Sequence, residues 1–358
     1  MSLSVGIVGL PNVGKSTTFN ALLKRKQAAA SNFPFCTIDP NVGVVNVPDE
    51  RLEQLAKISQ SKKIVPTAIE FVDIAGLVSG AHKGEGLGNK FLSHIREVDA
   101  IIEVVRAFQN SDIIHVAGKV SPADDIATIN LELIMADLQT VDKRLSRVAS
   151  DAKSGDKKLI LEKQVLEKIK QALEQEQAVR DLSFTDEEKD LIKSLSLLTA
   201  KPLLYVLNID DNEQRNSIPL KGIEFQNQIS INAQLESEIA ELPAEEQESY
   251  KQELGITETG LDKLIKASYK LLNLITFLTS GEPETRAWTV RQGALAPEAA
   301  GVIHTDFIKG FIRAEVIPWQ DFIACGGWSR AKEKGLVRTE GKTYEVKDGD
   351  VCYFLINK

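Results

Sequence analysis

The chain has 358 residues, 43% hydrophobic and 26% charged, with a formal net charge of −8. That length is enough for two or three domains, each with its own core. The acidic balance argues against wholesale coating of nucleic acid and confines any such contact to a local basic patch.

Cys36, Cys325 and Cys352 are far apart and show no C-x-x-C spacing, which argues against a disulfide framework or a zinc site and leaves them as packing thiols. Met1-Ser2-Leu3-Ser4 leads straight into a strand-like run, with no basic n-region and no cleavage site. No apolar run approaches the roughly 18 residues of a membrane span. A cytoplasmic protein without a membrane partner is therefore expected.

Ser4–Gly9, Thr67–Asp73 and Ala100–Val105 are short β-rich runs alternating with helical patterns, the mark of a mostly parallel α/β sheet. After the first of them, Gly9-Leu10-Pro11-Asn12-Val13-Gly14-Lys15-Ser16 fits G-x-x-x-x-G-K-[ST], and a helix-forming stretch, Thr17–Lys24, follows. The glycines let backbone N–H groups approach phosphates, and the helix start adds positive potential. Lys15 reaches the β- and γ-phosphates and the Ser16 hydroxyl ligates Mg²⁺. Asn12 to Thr17 are thus the expected phosphate contacts.

Thr37, in the loop Phe33–Thr37, is a candidate second ligand to Mg²⁺. Asp73 and Gly76 form D-x-x-G at the close of the Thr67–Asp73 run. The carboxylate is placed to hold a Mg²⁺-bound water and the Gly76 N–H to meet the γ-phosphate. Gly76, Gly80, Gly84, Gly86 and Gly88 suit a nucleotide-sensing loop.

Leu131, Ile134, Leu138, Val141, Leu145 and Val148 are spaced alternately by three and four. Ser154-Gly155-Asp156 breaks the seam, and Leu166, Ile169 and Leu173 resume it. An antiparallel helical hairpin is expected. The buried-strand run Pro202–Asn208 returns to the sheet, and helical seams follow through Leu274. Beyond the breaker Ser280–Pro283, short alternating segments at Arg286–Val290, Phe311–Val316, Thr343–Val346 and Val351–Ile356 predict a small mixed β domain. The boundaries read as a nucleotide-binding domain at 1–127 and 200–277, a helical insertion at 128–199 and a β domain at 278–358.

These motifs, together with Asn32–Gly43, Arg286–Val290, Ala299–Phe307 and Lys309–Glu315, resemble the YchF/Obg-like ATPase family of the translation-factor-related P-loop GTPases over nearly the whole chain. The resemblance implies a Ras-like G domain, a coiled-coil insertion and a C-terminal TGS domain of ubiquitin-like β-grasp fold. It also implies association with the ribosome and a preference for ATP.

A guanine site is written N-K-x-D. Here Asn208-Ile209-Asp210-Asp211 lacks the lysine, so half of guanine recognition is missing, whereas Asp211 stands nearer the guanine pattern than the Glu common in the family. Asn208 can bond adenine at its amino group and N7, and Ile209 can pack on the ring. Asn232-Ala233-Gln234 aligns with the base-contacting loop that guanine binders write S-A-K. ATP is favoured over GTP, with dual use open.

Leu77 stands where Ras-like enzymes carry the water-orienting Gln. Either turnover is slow or another group acts, and His115 in Ser111–His115 matches a family loop whose histidine is thought to position the water. The alternative for His115 is a structural histidine; His82 is a weaker rival, and His94 and His304 read as structural. Asn12 also occurs in relatives that use K⁺ as a fixed charge, which makes K⁺ a candidate cofactor beside Mg²⁺.

Lys143, Arg144, Arg147, Lys153, Lys157, Lys158, Lys163, Lys168 and Lys170 crowd the hairpin. They form either a solvated face or a finger for structured RNA on the ribosome. A monomeric switch that hydrolyses ATP is the expected function. The alternatives are a nucleotide-gated binding module with negligible turnover and a GTP-preferring GTPase.

Overall fold

The computed structural model describes residues 3–29, 41–74, 87–115, 118–152, 155–210 and 227–357. Thr37, Gly76, Leu77, His82, Lys153 and Asp211, and most of the glycine-rich run, lie outside the described residues.

In chain order the elements are β1 (Ser4–Val8), α1 (Lys15–Ala29), β2 (Val42–Asn46), α2 (Arg51–Ser59), β3 (Ile64–Val65), β4 (Ala68–Asp73), α3 (Leu87–Glu97) and β5 (Ala100–Arg106). Then come α4 (Pro122–Asp151), α5 (Lys157–Glu174), α6 (Asp186–Leu195), β6 (Leu203–Asn208), β7 (Gln228–Ile231), α7 (Ala233–Glu241), α8 (Ala244–Glu253) and α9 (Gly260–Leu271). The last are β8 (Leu274–Ser280), β9 (Thr285–Arg291), α10 (Ala296–Ile303), α11 (Asp306–Gly310), β10 (Phe311–Pro318), α12 (Trp319–Cys325), α13 (Trp328–Glu333), β11 (Arg338–Glu340) and β12 (Asp350–Ile356).

The chain divides into two compact units. One holds Met1–Arg25, Ile38–Gly43 and Glu70–Leu264; the other holds Lys26–Thr37, Val44–Ile69 and Ile265–Lys358.

The sheet of the first unit runs β2-β4-β1-β5-β6-β7, and every pairing from β4 to β7 is parallel. Parallel strands covered on both faces need apolar residues on both. β5 and β6 meet that condition, with every residue buried.

α4 and α5 form the hairpin. Ile134, Val141, Val148, Val165, Leu166, Ile169 and Leu173 make its core, with Leu138 and Leu145 half-buried against them. Gly155 takes φ +84° at the tip, and Asp156 caps α5 by accepting the Lys158 N–H at 2.8 Å.

Leu131 departs from the expected seam and is 47% exposed. The root of α4 instead packs Ile126, Ile129, Leu133 and Ala136 into the core beneath the sheet, which turns Leu131 to solvent. The helix starts at Pro122, so the boundary read at 128 falls inside it. Asp137 fastens this helix to the segment before β6, its buried carboxylate accepting the Leu198 and Thr199 N–H groups at 2.9 and 2.8 Å and the Thr199 hydroxyl at 2.7 Å.

The second unit carries a sheet in the order β11-β10-β12-β8-β9-β3. β8 and β9 form an antiparallel hairpin, β12 lies parallel to β8, and β10 is antiparallel to both β12 and β11. That is the β-grasp arrangement, extended at one edge by β3. Phe277, Val290, Ala299, Phe311 and Val316 fill one face of the sheet. On the other, α2 contributes Leu52 and Leu55 beside Phe322 and Ile317.

The second compact unit extends beyond the expected 278–358 to include Val44–Ile69 and the chain from Ile265. The helical seams are expected to run through Leu274, and β8 starts at that residue and reaches Ser280. Thr343–Val346, expected as a strand, makes only an isolated bridge from Glu345 to Leu295.

Candidate functional site

β1 is a buried central strand, and the chain leaves it through a turn that two positions make sterically exclusive. A Cβ on Gly9 would lie 2.7 Å from the Val104 carbonyl oxygen, and one on Gly14 would lie 2.1 Å from Asn208 Nδ2. Gly14 also adopts φ +95° and Asn12 φ 64°, a region that glycine enters freely and asparagine tolerates. Helix α1 then starts at Lys15 without an acidic residue in its first turn, so its outward-pointing amides keep their positive potential. Ser16 and Thr17 are exposed there, while the buried Thr18 hydroxyl donates to the Gly14 carbonyl at 3.0 Å.

Asp73 ends β4 in register with Ile7 of β1. The Lys15 ammonium forms an ion pair with its carboxylate, the side chains being 11% and 20% exposed. The structure thus brings together Lys15, Ser16 and Asp73, a cation, a hydroxyl and a carboxylate at one helix start. Among the described residues no preformed cluster of three or more His, Cys, Asp or Glu side chains could hold a metal by itself. Ser16 and Asp73 fit a hard oxygen-seeking cation that takes its other ligands from phosphate and water.

Beside this turn lies a cavity of about 480 Å³, lined among others by Asn12, Thr17, Phe108, Asn208, Ile209 and Gln234. Asn208, at the end of β6 and 5% exposed, donates from Nδ2 to the Val13 carbonyl at 3.0 Å and accepts the Ala233 N–H on Oδ1 at 3.0 Å. These two bonds use one Nδ2 proton and one lone pair of the oxygen, and leave the other proton and lone pair for the adenine contact read from the sequence. Ile209 lines the cavity with its side chain mostly buried in the core. Asn232 caps α7, accepting the Leu235 N–H at 3.0 Å, and Gln234 donates to Glu238 at 3.1 Å.

Sequence reasoning missed Arg106. It is 1% exposed and donates to the carbonyls of Phe108, Asn110 and Ile113 at 3.3, 2.9 and 3.0 Å, with its guanidinium 4.4 Å from the centre of the Phe108 ring. A cation closing the mostly apolar strand run Ala100–Arg106 was the available signal. The loop it shapes ends at the P-loop lip, where Asn12 Nδ2 donates to the Ile114 carbonyl at 3.1 Å.

His115, the next residue, is 6% exposed and its Nε2 lies 3.0 Å from Asp125 Oδ2 in the first turn of α4. Burial raises the Asp125 carboxyl above its ordinary value, against the opposing effect of the His115 bond.

On the hairpin, Arg144, Lys163 and Lys170 are paired with Glu162, Glu167 and Asp142. Lys168 donates to the Ser183 carbonyl and covers the Phe184 ring. Among the described residues, Lys143, Arg147, Lys157 and Lys158 form no ion pair, so the unneutralised charge lies toward the tip.

Residues 4–135 match a family model described as a 50S ribosome-binding GTPase, and residues 274–357 match the C-terminal domain model of YchF GTPases, described as a protein of unknown function. The chain is 55% identical to the ribosome-binding ATPase YchF of Bacillus subtilis and 54% identical to that of Escherichia coli O157:H7, covering 100% of both chains in each case. The solved YchF GTPase of Schizosaccharomyces pombe matches 99% of this chain and 98% of its own, with a TM-score of 0.87 and 37% identity.

A second group that sequence reasoning missed is Glu103 in β5, fully buried, with neither carboxyl oxygen hydrogen-bonded among the described residues. Burial pushes its carboxyl well above the ordinary value; Arg180 opposes that effect and Asp125 reinforces it. The folded chain then binds one more proton than the unfolded chain above a pH of about 4.3. Stability accordingly falls as pH rises from there toward the folded-state value. Glu103→Gln is expected to flatten this slope and to raise the melting temperature at pH 8 by a few degrees, with the gain vanishing near pH 4. Thermal unfolding of both proteins across that range checks it, and parallel curves would refute it.

Proposed function

The chain belongs to the YchF family, and we propose that it is a nucleotide-hydrolysing switch that binds ATP in preference to GTP with Mg²⁺ and acts on the ribosome as a monomer. The Lys15–Asp73 pair at the start of α1 carries this reading. It sets the ammonium that grips the β- and γ-phosphates beside the carboxylate that holds a Mg²⁺-bound water. Bound Mg²⁺ would neutralise phosphate charge, held by Ser16 and Thr37. On binding, Lys15 exchanges the Asp73 carboxylate for phosphate oxygens, and the amides of Asn12 to Thr17, with that of Gly76, meet the polyphosphate.

Base choice rests on a donor that is already spent. Ala233 N–H is given to Asn208 Oδ1 and Ile209 replaces the lysine of a guanine site, so a 6-oxo group finds less to bond than a site needs for strong discrimination. Asp211 keeps GTP as a second substrate. In calorimetric titration with Mg²⁺, ATP should bind at least tenfold more tightly than GTP, and Lys15→Ala should weaken both by about a hundredfold or more, the order expected for a charged contact. Equal affinities would remove the ATP preference, and a Lys15→Ala variant binding normally would remove the site.

For turnover, His115 positions the attacking water in place of the Gln that Leu77 displaces, and Asn12 would hold a K⁺ that would supply fixed positive charge. The second reading, a nucleotide-gated binding module, is favoured by the engagement of His115 with Asp125. Single-turnover hydrolysis, run in K⁺ and in Na⁺ and with and without ribosomes, separates the two. The switch is expected to turn over slowly alone and faster with ribosomes and K⁺, and absence of hydrolysis under every condition would leave only the binding module.

The unpaired basic residues near the hairpin tip are read as phosphate contacts to ribosomal RNA. Lys157→Glu with Lys158→Glu should weaken ribosome binding at least tenfold and lessen its salt dependence by roughly two counterions. Sedimentation binding at several salt concentrations tests this, and an unchanged affinity would exclude the tip.

A further inference from the structure

The loop that follows β5 is held at three successive points. Arg106 gathers the carbonyls of Phe108, Asn110 and Ile113. Asn12 of the P-loop holds the Ile114 carbonyl. One residue further on, the imidazole turns to α4 and meets Asp125 at 3.0 Å, both side chains about 95% buried. The Gly118 N–H then donates to the His115 carbonyl at 2.9 Å and closes the turn.

Ile113 lines the nucleotide cavity, and Ile114, the next residue, is 79% exposed. His115 therefore directly follows the residue whose carbonyl the P-loop holds, yet its Nε2 is spent on the hairpin helix. A hydrogen bond between a ring N–H and a buried carboxylate is among the stronger kinds, and breaking it leaves both partners in a medium that penalises unmade bonds.

We propose that Asp125 restrains His115: the carboxylate at the root of α4 holds the imidazole away from the nucleotide, and release of that bond is the step that makes the ring available for hydrolysis. The inference rests on the reading of His115 as the water-positioning residue. Asp125 is on this account a positioning residue that touches no reactant. Its place in the first turn of the hairpin helix gives the hairpin a direct hold on the nucleotide site.

The test is single-turnover ATP hydrolysis by the full chain in four forms: wild type, Asp125→Ala, His115→Ala and the double variant. Asp125→Ala should raise the rate about tenfold with little change in ATP affinity, and the gain should disappear in the double variant, whereas damage to the fold would persist in it. Asp125→Asn, which keeps the shape and a neutral acceptor, should fall between and guards against an unfolded alanine variant.

A rate that falls or stays level in both Asp125 variants overturns the restraint. If His115→Ala turns over at the wild-type rate, the role given to His115 fails, and hydrogen exchange decides the restraint separately. Amides of Gly118 and Asp125 should exchange about tenfold faster in Asp125→Asn than in wild type, and equal protection would mean that no restraint exists.

Discussion

One side-chain amide, that of Asn208, holds together three segments that no local rule places side by side. It stands at the end of β6, reaches across to the carbonyl of Val13 in the P-loop, and receives the N–H that opens α7. Both bonds are buried, so leaving either group unpaired would cost about 1–3 kcal/mol. The approach is so close that any side chain at residue 14 would collide with the amide. The glycine of the phosphate-loop pattern is thus also the glycine that lets the end of β6 lock onto that loop.

What the sequence made legible follows from how local each signal is. The P-loop is a contiguous pattern whose residue types are fixed by backbone geometry, and the structure places Gly9, Gly14 and Lys15 where the pattern implies. The hairpin seam was legible wherever one helix faces one partner, from Ile134 to Val148. It failed at Leu131, where α4 leaves its partner and faces the sheet, a change that spacing does not announce. The fate of α2 was hidden for a similar reason. Leu52 and Leu55 make an apolar face, but nothing local says which sheet it covers. β8 carries a weak local signal, because Leu274, Ile275, Phe277 and Leu278 are apolar with only Thr276 between them, a pattern shared by buried strands and helix ends.

Side chains that sequence reading assigned to the ligand turned out to be shared with the scaffold. Asn208 and Asn232 are scored as base contacts by alignment with guanine binders, yet each is engaged by the protein itself, one as a brace and one as a helix cap. Pattern matching reports which residue types occur near a ligand, and geometry adds which of them also hold the wall. Arg106 belongs to the same class. The loop from Ala107 to His115 has no ladder to satisfy its carbonyls, and a buried backbone acceptor needs a partner. Three of those carbonyls are answered by one guanidinium, so the loop takes its shape from a cation at its root.

That shape gives the long helix α4 its mechanical importance. Thirty residues of helix span about 45 Å at 1.5 Å per residue, and the one element contributes to two cores. Ile126, Ile129 and Leu133 belong to the sheet core, and Val141 and Val148 to the hairpin core. No proline interrupts it after Pro122, and Asp137 pins its middle to the segment leading into β6. The basic tip and the root therefore belong to one continuous helix with no proline between them. At the root stands Asp125, bonded to the residue after the one that Asn12 holds. A helix of this length is more than a support for surface charge, because its first turn is bonded to the loop whose Ile113 lines the cavity beside the P-loop.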